Sequence, residues 1–139
     1  MSDDKNPLDI IDMVQKARMM HDADAQPSNI AAVYWIEAKS QSEDTTGPTS
    51  RSGQWVIETT VTEVDRLWAK VKDATEAGKL GYKSKVSTAS RSRVKGPDQR
   101  VICVRTYDSD DSADINRIRE ALEALDMPTP FTYEHDKSD

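Results

Sequence analysis

The 139-residue chain contains one cysteine, Cys103, so it can form no disulfide within itself. Its only histidines are His21 and His135. A structural zinc site takes about four Cys or His ligands, so no metal is expected. Glycine is scarce, at five residues, and neither a phosphate-cradling P-loop nor a dinucleotide fingerprint occurs. There is no Gly-x-Ser-x-Gly nucleophile elbow either. No cofactor is therefore expected. The chain has no apolar run of about 18 residues, the length that crosses a bilayer. Its acidic start, Met1-Ser-Asp-Asp-Lys, lacks the apolar stretch of a secretory signal. The expectation is a small cytoplasmic protein with no membrane partner. Hydrophobic residues make up 36% of the chain and charged residues 32%, which assigns part of it to solvated loops and tails.

The charge that is present is unevenly placed. The net charge is −6, which taken whole argues against a polyanion-binding composition. Yet residues 79–100 carry seven bases (Lys79, Lys83, Lys85, Arg91, Arg93, Lys95, Arg100) against the single acid Asp98. Arg105 follows shortly after. The acids concentrate in residues 1–50 and 108–139. A basic segment inside an acidic chain marks an anion site or a solvated loop that pairs with its own acidic neighbours.

Periodicity assigns the elements. Residues 6–20 read as a helix, with Asn6 as cap, Pro7 in the first turn and an apolar stripe of Leu8, Ile11, Val14 and Ala17. Residues 31–39 read as a strand rich in aromatic and β-branched side chains. Residues 40–53 contain no large apolar side chain and read as a long mobile loop leading to a second strand over 54–61, a hairpin arrangement. A helix over 62–77 is capped by Thr62, carries Val64, Leu67, Trp68 and Val71 on one face, and stops at Gly78. Strands over 82–88 and 100–107 flank a polar basic loop at 89–99. A helix over 113–126 carries Ile115, Ile118, Leu122 and Leu125, and Pro128 and Pro130 end it. Residues 131–133 suit a last edge strand. The order α-ββα-ββα-β gives an α+β fold, an antiparallel sheet with helices on one face. The expected organisation is an arm and linker over residues 1–29, one domain over 30–133, and a disordered tail over 134–139.

Lys83 and Lys85 share a strand face, and Arg105 on the partner strand can join them. Cations converging on a sheet suit a phosphate-like anion. The alternative is an internal salt-bridge network with Glu37, Glu58 and the acidic helices. Of the three tryptophans, Trp68 and Trp35 are expected in the core. Trp55, at the end of the polar loop, is the candidate stacking residue. Cys103, between valines on the strongest strand, reads as a small buried hydrophobe.

The strings Gly53-Gln-Trp-Val-Ile, Val64-Asp-Arg-Leu-Trp and Gly78-Lys-Leu-Gly-Tyr-Lys-Ser-Lys-Val-Ser-Thr resemble the family of basophilic leukaemia-expressed protein. So do Val101-Ile-Cys-Val-Arg-Thr-Tyr-Asp and Asn116-Arg-Ile-Arg, the resemblance covering residues 31–133. It implies the fold of the cap-binding translation initiation factor, a curved antiparallel sheet with helices on its convex side. The family is sometimes labelled phosphothreonine lyase, which would ask for a lysine base, Lys83 or Lys85, and a histidine acid, His135. Cap binding in the fold's namesake sandwiches a base between two tryptophans, one followed by an acid. Here Ile36, Val56 and Ala69 follow the tryptophans. The leading expectation is a binding module for a nucleotide, an RNA end or a phosphopeptide, with Lys79, Lys83, Lys85 and Arg105 as phosphate contacts and Trp55 as stacking residue. The alternatives are a lyase, or an adaptor that docks a protein through residues 6–20 or the uncovered sheet face.

Overall fold

The computed structural model describes residues 26–28, 35–88 and 98–136. The expected helix over 6–20 and most of the basic loop over 89–99 lie outside them. The described elements are β1 (Trp35–Lys39), β2 (Gly53–Thr60), α1 (Val64–Glu76), β3 (Lys83–Ser87), β4 (Gln99–Thr106), α2 (Ser112–Ala124) and β5 (Thr132–His135). They form one antiparallel five-stranded sheet in the order β1-β3-β4-β2-β5. Both helices pack on one face, which makes the α+β architecture the one the sequence leads to. Among the described residues no helix is long and apolar enough to cross a membrane.

Alternation explains the layering. Ile36, Ala38, Val86, Ile102, Val104, Trp55 and Ile57 point toward the helices and are buried. Val64, Leu67, Trp68 and Val71 of α1, and Ile118 and Leu122 of α2, meet them. Most polar groups that enter this layer are satisfied, the buried indole N–H of Trp68 being the exception among the described residues. Ser84 is fully buried, and its hydroxyl pairs at 2.7 Å with that of Thr75, which also donates to the Val71 carbonyl. Thr106 pairs at 2.6 Å with the Tyr133 hydroxyl. Arg100, also buried, donates to the carbonyls of Gln99 at 2.9 Å and of Pro27 at 3.4 Å.

The structure corrects several expectations. β1 and β2 form no hairpin: β1 pairs with β3, and β2 pairs with β4 and β5. Three strand spacings of about 4.8 Å separate them, a gap the long 40–52 connection easily spans. That connection is tied down by the hydroxyls and amides that replace apolar packing. Ser40 N–H donates to the Tyr82 carbonyl and Gln41 N–H to that of Glu76. Thr49 Oγ1 donates to the Tyr107 carbonyl at 2.6 Å. Glu63 rather than Thr62 occupies the α1 cap, with no side-chain bond there, and the Thr62 hydroxyl pairs instead with Thr60. β5 runs through His135, and Asp136 N–H donates to the Ser52 carbonyl, so residues 134–136 belong to the sheet edge and not to a tail.

Both helices end in the same motif. Gly78, at φ +78°, donates to the Thr75 carbonyl while Lys79 donates to that of Ala74. Asp126, at φ +61°, donates to Glu123 while Met127 donates to Leu122. A left-handed conformation suits glycine better than aspartate. Gly81 faces a different demand: a Cβ there would overlap the carbonyl oxygen of Arg105. Urea denaturation is expected to report opposite outcomes at these two positions. Asp126→Gly should stabilise the protein by about 0.5–1 kcal/mol. Gly81→Ala should destabilise it by about 2–3 kcal/mol or more, because backbone must separate from backbone. Gly47→Ala, with nothing within 4 Å, is the control.

Candidate functional site

The sheet face opposite α1 and α2 carries the side chains of the other parity. The register aligns them in rows that cross the strands. One row runs Lys39, Lys83, Arg105, Gln54, Glu134 across β1, β3, β4, β2 and β5. The next runs Glu37, Lys85, Cys103, Val56, Thr132. Neighbouring strands lie about 4.8 Å apart, so the first three members form a row of cations across three adjacent strands. Lys85 stands one step along β3.

These cations have different surroundings. Lys83 Nζ lies 3.1 Å from Glu37 Oε2. Arg105 turns its fork to Asp136, with Nη1 at 2.8 Å from Oδ1 and Nη2 on Oδ2. Its Nε donates to the Tyr82 hydroxyl at 3.0 Å, and Nη1 also reaches Gln54 Oε1 at 3.2 Å. Gln54 in turn donates to Glu134 at 3.1 Å. Lys85 Nζ sits 4.3 Å above the centre of the Trp35 ring, a cation–π contact. Among the described residues neither Lys39 nor Lys85 has a carboxylate within ion-pairing distance. The face thus contains both arrangements left open by the sequence: a convergence of cations, and a partial internal network through Glu37 and Asp136.

The Arg105–Asp136 pair is the strongest electrostatic feature of the face. The hydrogen bonds from Arg105 hold the Asp136 carboxyl below the usual carboxylate range, with the charge of Arg105 and that of Lys85 adding to the effect. The bond to Asp136 likewise raises the guanidinium above its ordinary value, against the opposing effect of burial. A carboxylate from the end of β5 therefore occupies the fork that a bound anion would use.

Two of the residues expected at the site stand elsewhere. Trp55 belongs to the helix-packed layer, is 8% exposed, and donates from Nε1 to the Ile115 carbonyl at 3.0 Å. Phe131 and Tyr133 meet its ring edge-on at centroid distances of 6.2 and 5.2 Å. Lys79 follows the α1 terminus, off the sheet, and its carbonyl accepts from Arg117. The aromatic residue on the cation face is Trp35, which had been expected in the core. The parity of charged neighbours identifies both residues: Trp35 alternates in step with Glu37 and Lys39, whereas Trp55 is out of step with Glu58. Cys103 is buried, as a small hydrophobe would be. His135 lies on the helix side of β5, edge-on to Tyr133, and so on the opposite face from Lys83 and Lys85. His21 lies outside the described residues, among which no cluster of three or more metal-ligating side chains occurs.

A solved structure shares this fold. Ascaris suum eIF4E-3, in complex with the m2,2,7G cap, matches with a TM-score of 0.51 and 18% sequence identity over 70% of this chain. The fold is thus of the cap-binding initiation factor type, and the match spans 60% of that solved chain. Within this fold the chain belongs to the family of basophilic leukemia-expressed protein Bles03, whose model matches residues 37–134. No curated protein matches it.

The Arg105–Asp136 pair makes the low-pH behaviour of β5 testable. A carboxyl whose folded-state value is depressed contributes stability above its unfolded value and loses it as pH falls through the lowered folded value. Carboxyl-carbon NMR should find Asp136 titrating below the usual aspartate range, and Arg105→Ala should move it back toward that range. An Asp136 carboxyl that titrates identically in both proteins would remove the pair from the account.

Proposed function

We propose that the protein is a binding module for a phosphate-bearing ligand, received on the sheet face opposite α1 and α2 by Lys83, Lys85 and Arg105. The observation that supports this reading is the cation row of Lys39, Lys83 and Arg105 with Lys85 beside it. A phosphate matches the guanidinium fork as a carboxylate does, so the ligand replaces Asp136 on Arg105. The two lysines add point charges on the adjacent strand. Trp35 takes the aromatic role first given to Trp55, with one ring face turned to Lys85. Lys79 follows the α1 terminus, outside the strand rows, and is not part of the proposal.

Nucleotides, RNA ends and phosphopeptides all present such a group. The nucleotide class is favoured because the similar Ascaris structure holds a cap. Binding without elimination is the simpler chemistry. With His135 across the sheet, neither Lys83 nor Lys85 has a described histidine acid beside it.

Titration with pyrophosphate, a mononucleotide and a phosphothreonine peptide at low salt, read by tryptophan fluorescence and amide shifts, tests the proposal. A saturable response centred on β3 and β4 is expected. Lys85→Ala should weaken it about tenfold, the loss of roughly 1.4 kcal/mol that one charge-assisted contact contributes. Asp136→Asn should tighten it, by removing the competing carboxylate. Added salt should weaken it, as screening of half-exposed charges requires. No saturable response to any of the three probes, or a response indifferent to Lys85→Ala, would overturn the reading.

A further inference from the structure

The 40–52 connection does more than join β1 to β2. It lies over the end of the sheet and borders two open hollows there. The larger, about 360 Å³, is bounded by Lys39, Ser40, Ser42, Thr45, Pro48, Tyr82 and Lys83. The smaller, about 160 Å³, shares Ser42, Thr45 and Tyr82 and continues to Asp44, Tyr107, Asp114 and Arg117 on the helix side.

The walls are pre-formed. Besides the backbone bonds from Ser40 and Gln41, the hydroxyls of Ser40 and Thr45 pair at 2.6 Å. Ser40 Oγ also accepts from Ser42 N–H at 3.2 Å. Glycine makes the close approach possible, since a Cβ at Gly78 would come within 2.7 Å of Ser42 Cβ. On the far side, Arg117 donates to the carbonyls of Lys79 at 3.0 Å and Leu80 at 3.1 Å, and pairs with Asp114 at 2.9 Å. The Tyr107 phenol donates to Asp111, which pushes its pKa up to about 12 and keeps it neutral. A rigid concavity with a few convergent polar groups is the usual form of a small-molecule site.

The two ends differ in charge. Lys39 and Lys83 stand at the larger hollow, Asp44 and Asp114 at the smaller, with hydroxyls and the rings of Tyr82 and Tyr107 along the lining. Carboxylates, a guanidinium and hydroxyls bond the alternating hydroxyls of a sugar, and tyrosine rings pack on its C–H face. We propose that this cavity binds a phosphorylated sugar, with the phosphate at Lys39 and Lys83 and the sugar hydroxyls directed to Asp44, Asp114 and Arg117. The cavity adjoins the face proposed around Lys85 and Arg105 and shares Lys39 and Lys83 with its cation row, while Asp44, Asp114 and Arg117 belong to the cavity alone.

The test is an amide-shift titration of the full chain with glucose 6-phosphate, glucose and inorganic phosphate. Glucose 6-phosphate should bind at least tenfold more tightly than either fragment, with shifts at Ser42, Thr45, Gly78 and Tyr82. Thr45→Glu sets a carboxylate at the shared wall without touching the core. It should abolish these shifts while the variant still melts cooperatively as a folded protein, since only the Ser40–Thr45 hydroxyl pair is lost. Lys85→Ala should leave them in place, which separates this cavity from the sheet face. Equal affinity for glucose 6-phosphate and inorganic phosphate would overturn the proposal. So would shifts confined to β3 and β4 that survive Thr45→Glu, or no binding of any of the three probes.

Discussion

The register of β3 between β1 and β4 is the constraint on which the rest depends. Val86 and Ser84 face the helices, and Lys83 and Lys85 face away. A slip by one residue would drive two ammonium groups against Trp68 and Leu67 and leave Val86 in water. Burying unpaired charge costs far more than the net stability of a domain can absorb, so the register is tightly held. The Thr75–Ser84 hydroxyl pair is satisfied only in this register, and Gly81 lets the chain entering β3 pass against the Arg105 carbonyl. The same alternation that builds the core therefore builds the cation face.

What that face can do is set by competition among charges. The basic segment is not simply an electropositive patch, because Glu37 and Asp136 answer two of its members. Lys85 is held by an aromatic ring instead of a carboxylate, and Lys39 has no described carboxylate partner. An anion arriving here gains the attraction of four cations but must displace Asp136 from Arg105. Asp136 is positioned by a backbone bond to Ser52 that extends the β2–β5 ladder, so the competitor is part of the sheet edge.

Much of this was legible in the sequence. Helical spacing located α1 and α2, and Gly78 marked the α1 terminus. Alternation along residues 82–88 puts Lys83 and Lys85 on one face and leaves Arg105 able to join them, and the β3–β4 register sets it there. The misreadings have physical causes. Hydrophobicity and nearness to a polar loop misplace Trp35 and Trp55, and the parity of Glu37, Lys39 and Glu58 is the better guide. The β1–β3 pairing is non-local, and nothing in the local pattern distinguishes it from a β1–β2 hairpin. Asp136 lies in a polar terminal stretch whose order comes only from pairing with β2 and Arg105. The loop over 40–53 read as mobile because it has no large apolar side chain, yet its hydroxyls supply the bonds that tie it down.

The central claim is that a ligand anion takes the place of Asp136 on Arg105. Following the Arg105 Nε resonance and the Asp136 carboxyl carbon together during a pyrophosphate titration tests it most directly. The account predicts that both move along one saturation curve, the carboxyl toward the position of a free aspartate. An Arg105 Nε and an Asp136 carboxyl that stay fixed up to saturating pyrophosphate would contradict it.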